Sequence, residues 1–171
     1  MRLPAVIFLC AVFYAGCTSS KEPATEAPPE TTETKPEAEA PAEAPSATPG
    51  TVVVLMGNDS MQFNTKEIRV KAGQPVTVNL VHTGKLPVES MGHNFVLLKP
   101  GVKLPAFAEK ALSASATGYI PEGDEVIAHT KLVGGGESTS VTFDAPEPGT
   151  YQFLCTFPGH FGMMNGEFIV E

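Results

Sequence analysis

One stretch of the chain limits where a folded domain can form. Residues 18–50 hold seven Pro and seven Glu, most other positions are Ala, Thr or Ser, and there is no aromatic residue, Val, Leu or Ile. A segment of this composition cannot bury enough apolar surface to offset the entropy lost on folding. We therefore interpret residues 17–50 as a disordered linker rich in Pro, Glu and Ala, and expect one globular domain in residues 51–171.

The residues before this linker have the features of an export signal. A basic residue at position 2 precedes an apolar run over residues 3–14, and two small residues follow before Cys17. The run is shorter than the roughly 20 residues that a membrane-spanning helix needs. Residues 1–16 are therefore predicted to be a cleaved signal peptide.

The sequence Tyr14-Ala15-Gly16-Cys17 resembles the cleavage site of bacterial lipoproteins. This resemblance implies that Cys17 is acylated and that the protein is exported and anchored to a membrane, facing the periplasm or the cell surface. In lipoproteins of this kind an Asp after the Cys commonly signals retention in the inner membrane. Thr18 stands at that position here, and the absence of Asp favours delivery to the outer membrane. Plain secretion is the alternative.

The charge of the chain argues against one class of partner. The net charge is −8, and Lys and Arg form no cluster. Binding a nucleic acid requires basic side chains that neutralise its phosphates. We therefore expect no nucleic-acid partner.

The apolar residues of the domain follow the pattern of short strands. Eight runs of alternating or continuous apolar residues recur between turn signals such as Pro148-Gly149. Short strands separated by turns are typical of a sandwich of antiparallel sheets, so we predict an all-β fold. The predicted strands are Val52–Met56, Ile68–Val70, Val76–His82, His93–Leu98, Val126–Thr130, Ser140–Phe143, Tyr151–Cys155 and Glu167–Val170.

One segment departs from the strand pattern. Apolar residues recur at helical spacing from Leu104 to Leu112, and Pro105 suits a first helical turn. We predict a short helix there that packs against the sandwich.

The cysteines point to a metal. Of the three cysteines, Cys10 would leave with the signal peptide and Cys17 would carry lipid, so Cys155 would be a lone thiol in an oxidising compartment. Such a thiol is a liability unless it is buried or bound to a metal. His160 and Met164 follow it in a C-x4-H-x3-M motif, with Met163 as a competitor for the last position.

A second imidazole completes a known donor set. His93 begins an apolar strand, which a sandwich can bring to the same end as Cys155. Two His, one Cys and a weak axial Met are the donors of blue copper sites. The alternative is that these are ordinary buried residues, and we assign no ligand role to His82 or His129.

The domain resembles the azurin family of blue, type 1 copper proteins (cupredoxins), and the whole chain resembles a lipid-modified azurin. The stretches that carry the resemblance are Gly57-Asn58-Asp59, Met61-Gln62-Phe63-Asn64, Val78-Asn79-Leu80, Met91-Gly92-His93-Asn94, Val126 to Leu132, Val141-Thr142-Phe143-Asp144 and Cys155 to His160. The resemblance implies an eight-stranded Greek-key β-sandwich and one copper ion per chain.

The resemblance also implies the roles of particular residues. The metal ligands would be His93, Cys155 and His160, with Met164 axial and the Gly92 carbonyl as a distant fifth contact. Asn94 would hold the ligand loops together beside Thr156, and the amides of Asn94 and Phe157 would donate hydrogen bonds to the sulfur. The family's disulfide is missing, since Thr51 stands at its first position, and residues 100–121 match poorly.

These features predict a one-electron carrier that is not an enzyme. Multicopper enzymes need further His-rich sites, and the chain has only four His. The resemblance implies an apolar patch around His160, here called the docking patch, which would be formed by Met61, Leu86, Met91, Phe157 and Met163. Partners such as c-type cytochromes or a terminal reductase or oxidase would dock there through brief contacts of small area. The alternative is a copper-buffering or copper-defence protein without a dedicated redox partner, and zinc also suits the donors.

Overall fold

Alternation of buried and exposed residues produces two sheets with a shared core. The computed structural model describes residues 50–171, so the predicted signal peptide, Cys17 and residues 18–49 lie outside the described residues. In β4 every second side chain is buried, as expected for a strand with one face on a core. The strands are β1 (Thr51–Asn58), β2 (Gln62–Phe63), β3 (Glu67–Val70), β4 (Pro75–His82), β5 (Val96–Leu98), β6 (Val126–His129), β7 (Ser138–Asp144), β8 (Gly149–Leu154) and β9 (Asn165–Val170).

The strands form a four-stranded sheet in the order β2-β1-β4-β7 and a five-stranded sheet in the order β3-β9-β8-β5-β6. Two of the pairings are parallel, β1 with β4 and β3 with β9. The inward side chains of both sheets make one core that includes Leu55, Val78, Phe153 and Phe168. The predicted all-β sandwich is confirmed, and all eight predicted strands have counterparts in it.

The helical segments lie in the connections. Helix α1 (Val88–Met91) is a single turn before Gly92, and helix α2 spans Leu104–Ala111, followed by a 3-10 turn at Ser115–Thr117. Helix α2 buries Phe107, Ala108 and Ala111. It packs as predicted against the sandwich, in a second apolar cluster with Val96, Leu98 and Leu154.

Two local features differ from the sequence interpretation. The described residues contain nine strands rather than eight, because Gln62–Phe63 pairs with Asn58 and Gly57 at the end of β1. His93 lies before β5 rather than in it, and forms an isolated bridge with Val133.

Several chain segments meet at one end of the sandwich. The ends of β1 and β4 lie side by side, since Gly57 pairs with His82. Cys155 follows directly after β8, and Met164 precedes β9. Residues 50–171 include no helix with the length and apolarity needed to cross a bilayer.

Candidate metal centre

The loop between β8 and β9 is closed by its own backbone. The N–H of Cys155 donates to the carbonyl of Met164 at 2.9 Å, and the N–H of Met164 donates to the carbonyl of His160 at 2.8 Å. Gly159 has φ +83, a left-handed conformation that glycine adopts without strain. Cys155, His160 and Met164 therefore come from one short, hydrogen-bonded loop.

His93 is fixed from the opposite side. Its N–H and carbonyl both pair with Val133 at 2.9 Å, and its Nε2 lies 2.9 Å from the carbonyl oxygen of Asn58. Because a carbonyl oxygen only accepts, Nε2 carries the proton and Nδ1 keeps a free lone pair. Within residues 50–171, Nδ1 of His93 is the one buried side-chain nitrogen or oxygen without a hydrogen-bond partner.

The three strongest predicted donors meet in the interior. One donor atom from each of His93, Cys155 and His160 lies within 4.8 Å of the others. The Sγ of Cys155 is 3.6 Å from Nδ1 of His160 and 3.8 Å from the carbonyl oxygen of Gly92. The side chain of Met164 is fully buried and lies near His93, as contacts at Gly57 show.

This arrangement fits a metal ion. Metal bonds of about 2.3 Å to sulfur and 2.0 Å to nitrogen place two ligands of a tetrahedral site roughly 3.5 Å apart, close to the observed 3.6 Å between Sγ and Nδ1. The orphaned lone pair of His93 faces the same cluster. A thiolate, two imidazoles and a thioether form the donor set that suits copper.

Burial sets the protonation of the site. It raises the pKa of the Cys155 thiol to about 11, although the N–H groups of Asn94 and Phe157 face the sulfur and partly oppose this. Burial and the nearby His93 and His82 lower the pKa of His160 to about 4. Burial also lowers the pKa of His93. At neutral pH both imidazoles are neutral and able to bind a cation, whereas the thiol must lose its proton to do so.

Asn94 ties separate segments together around the sulfur. Its Oδ1 accepts from the N–H of Thr156 at 2.9 Å, and its Nδ2 donates to Oγ1 of Thr156 at 2.8 Å. The same Nδ2 lies 3.1 Å from the carbonyl oxygen of Gly118. Asn94 is fully buried, and its side-chain hydrogen bonds are made with other groups of the protein. Asn94 therefore connects the segment before β5 to Thr156 and to Gly118.

The docking patch combines exposed and partly covered residues. Leu86 and Met163 are 43% and 46% exposed, Met61 and Met91 are half-buried, and Phe157 is nearly buried. The ring of Phe157 lies 4.7 Å from that of His160, measured between centroids. His160 is itself only 2% exposed, so it reaches the surface through its neighbours.

Two supporting residues were missed by the sequence analysis. A Cβ at Gly57 would lie 2.6 Å from Cδ2 of His93, so this position needs glycine. The ring of His82 stacks on that of His93 with centroids 4.1 Å apart. Nδ1 of His82 accepts a hydrogen bond from the N–H of Gly84, and its Nε2 lies 2.8 Å from the carbonyl oxygen of Met91. Both ring nitrogens of His82 are therefore occupied by hydrogen bonds. The sequence indicated the importance of Gly57 only through its place in a stretch that resembles the azurins.

Comparison with known proteins agrees with this geometry. A family model for copper-binding proteins of the plastocyanin/azurin family matches residues 50–171. Azurin from Alcaligenes faecalis is 48% identical over 119 residues, which cover 67% of this chain and 93% of that protein. Outer membrane protein H.8 from Neisseria gonorrhoeae is 47% identical over 114 residues, which cover 64% of this chain and 62% of that protein.

Solved structures give the same result. Auracyanin A, a "blue" copper protein from Chloroflexus aurantiacus, aligns with a TM-score of 0.66 and 32% identity over 72% of this chain and all of that one. Reduced auracyanin from Roseiflexus castenholzii aligns with a TM-score of 0.64 and 35% identity, covering 73% of this chain and 98% of that one. The resemblance to azurins is thus confirmed, copper is the cofactor that the cluster of His93, Cys155 and His160 fits, and the chain belongs to the plastocyanin/azurin family of copper-binding proteins.

Proposed function

We propose that the protein is a membrane-anchored one-electron carrier with a single type 1 copper site. The observation that carries this proposal is the orphaned Nδ1 of His93, which is buried beside the Cys155 thiol and His160. A buried nitrogen without a hydrogen-bond partner is costly unless a ligand satisfies it. The family to which the chain belongs is one of copper-binding proteins, which supports a copper site here.

The protein's part in this function is to hold the donors still. Bound copper supplies a centre that alternates between Cu(II) and Cu(I). His93 is fixed by Asn58 and His82, and Cys155 is fixed through the backbone bond to Met164 and the amides around its sulfur. Donors that are already in place change little when the charge of the site changes, which favours fast transfer.

The remaining ligand roles follow from placement. Met164 rather than Met163 would supply the axial thioether, because its side chain is fully buried beside His93 whereas Met163 is 46% exposed. The Gly92 carbonyl would be a weak fifth contact, since it lies 3.8 Å from Sγ of Cys155. The N–H groups of Asn94 and Phe157 stabilise the thiolate and so tune the reduction potential.

The docking patch is the proposed route for electrons. Leu86 and Met163 expose apolar surface next to Phe157, whose ring contacts His160. A small apolar surface favours brief contacts with redox partners. The proposed partners are c-type cytochromes or a terminal reductase or oxidase.

The membrane anchor is proposed from the N-terminal sequence. Cys17 would carry the lipid, and the similar protein H.8 is described as an outer membrane protein. We expect that Cys17→Ala moves the protein from the membrane fraction to the soluble fraction after cell breakage, while its copper spectrum stays the same. A variant that remains with the membrane would show that Cys17 is not the anchor.

The first test of the copper site is spectroscopic. Addition of Cu(II) to the purified protein should give an intense blue absorption band and an EPR signal with small copper hyperfine splitting. Ascorbate should bleach both, and reoxidation should restore them. A colourless or non-blue complex would contradict the proposal and favour copper buffering or zinc binding by the same residues.

A further inference from the structure

The segment that follows helix α2 has an unusual backbone beside the metal centre. Gly118 and Tyr119 have φ values of +67 and +65. This left-handed conformation suits glycine but is unfavourable for a bulky aromatic residue. Tyr119 is held in it because its N–H donates to the carbonyl of Ala114 at 2.8 Å.

The strained backbone directs the Tyr119 ring to the ligand loop. The ring meets that of Phe157 edge-on, with centroids 5.4 Å apart and an interplanar angle of 72°. Phe157 in turn lies 4.7 Å from the His160 ring. Three aromatic rings thus stand in series from the segment after α2 to a predicted copper ligand.

A separate contact ties the same segment to the same loop. Nδ2 of Asn94 lies within hydrogen-bond distance of both the carbonyl of Gly118 and Oγ1 of Thr156. Gly118 precedes Tyr119, and Thr156 precedes Phe157. The side-chain hydrogen bonds of Asn94 therefore fix the distance across which the Tyr119 and Phe157 rings meet.

His160 needs such support more than His93 does. Within residues 50–171, the polar contact that the His160 ring makes is with Sγ of Cys155, which belongs to the cluster itself. Phe157 has no polar side-chain atom, so packing alone can hold its ring. The position of the His160 imidazole therefore depends on what lies behind Phe157.

We propose that Tyr119 is a positioning residue of the metal centre, whose ring presses Phe157 against His160 and fixes the Cys155–His160 loop. This role rests on the proposed copper site. It explains why the fold keeps a tyrosine in a left-handed conformation, where a glycine would be less strained.

Three substitutions separate the effect of the Tyr119 ring from the effect of its left-handed backbone. Tyr119→Phe keeps the ring, Tyr119→Leu removes the aromatic contact but keeps bulk, and Tyr119→Gly removes the ring while relieving the backbone. Tyr151→Phe is the matched control, since it removes the hydroxyl bond to the Glu147 carbonyl in the part of β8 away from Cys155.

The first measurement uses the copper-free protein. Hydrogen exchange should report the amide of His160, which donates to the Phe157 carbonyl, and the amide of Met164. We expect about two- to tenfold faster exchange at these amides in Tyr119→Leu and Tyr119→Gly, the range that one aromatic contact accounts for. Tyr119→Phe and Tyr151→Phe should exchange there like the unmodified protein.

The second measurement uses the copper-loaded protein. Loss of copper to a chelator should be faster by a similar factor in the Leu and Gly variants, and their reduction potential and EPR hyperfine splitting should shift. If the Gly variant matches the unmodified protein in all these properties, the proposal is wrong and Tyr119 serves only the backbone. The exchange result stands without copper, so it distinguishes failure of this role from failure of the proposed function.

Discussion

His93 and His160 bring the same ring to one cluster, yet their surroundings differ. His93 is fully buried, its Nε2 is bound to a backbone carbonyl, and a second imidazole stacks on its face. His160 lies behind Phe157 next to exposed apolar residues, and ring packing replaces the hydrogen bond. One side of the site is thus held by hydrogen bonding and stacking, and the other lies beside the exposed apolar surface that we propose as the contact for a partner.

The largest effect is expected where the two sides meet, at Cys155. Cys155→Ser replaces the thiolate next to both imidazoles by a hydroxyl, which is a poor donor for copper. We expect complete loss of the blue band and of the small hyperfine splitting, measured by absorption and EPR after Cu(II) addition. Met164→Leu is the companion variant, and it should stay blue with a changed reduction potential. Blue colour in the Ser variant would show that the thiolate is not a ligand.

Gly57→Ala would disturb mainly the His93 side, since the contact with His93 is closer than the 3.3 Å contact with Met164. The new methyl group would lie 2.6 Å from Cδ2 of His93 and push the ring from its place against Asn58. We expect copper affinity to fall by about 10- to 100-fold, as for other residues that orient ligands, in competition titrations with a chelator. Gly162→Ala is the matched control, because a Cβ there meets nothing within 4 Å. Equal affinities in the two variants would count against the assigned role of Gly57.

The pH dependence of stability in the copper-free protein would sharpen the comparison. The pKa of His160 is lowered from 6.5 to about 4, and that of His93 is also lowered, so the unfolded chain binds more protons below pH 6.5. The free energy of unfolding should therefore fall as the pH decreases from 6.5 to about 4. Urea melts across this range should show a weaker fall in His160→Gln.

The raised pKa of the Cys155 thiol predicts a second loss of stability, at alkaline pH. The pKa of Cys155 is raised from 9.0 to about 11, so the folded protein keeps a proton that the unfolded chain loses. The free energy of unfolding should fall by about 2 to 3 kcal/mol as the pH rises from 9 to 11. Cys155→Ser should remove this fall, and an unchanged slope in that variant would assign it to other groups.

The smallest effect on the site itself is expected from Met163→Glu, on the His160 side. Met163 is 46% exposed, so colour and reduction potential should stay nearly unchanged. Two copies that meet through the docking patch would each carry a desolvated charge. Electron exchange between oxidised and reduced copies, measured by NMR line broadening, should slow about tenfold, equal to about 1.4 kcal/mol. Met163→Leu should exchange normally, and a normal rate in the Glu variant would place the contact elsewhere.

The features that could be predicted from the sequence are those that repeat or that use distinctive side chains. Alternation along the chain predicts the strands, because the side-chain period of two shows which face is buried. The spacing of Cys155, His160 and Met164 is distinctive because one loop delivers all three. The helix over Leu104–Ala111 followed from its apolar spacing and Pro105.

The remaining features depend on backbone atoms brought together over long distances. The carbonyl that orients His93 belongs to Asn58, 35 positions earlier, and any residue type offers a carbonyl. Strand β2 is only two residues long, too short for a periodic pattern. The left-handed backbone of Tyr119 has no signature either, because tyrosine rarely adopts it.

The last strand of the fold secures most of the metal centre, because β9 pairs in parallel with β3 and antiparallel with β8. Cys155, His160 and Met164 lie between β8 and β9, and β9 holds the loop only when it pairs with β3 and β8. The residues that hold His93, namely Asn58 and Val133, both precede β8, whereas the other three donors depend on β9. Chains truncated before β9 would therefore be expected to expose the Cys155 sulfur rather than form a metal site.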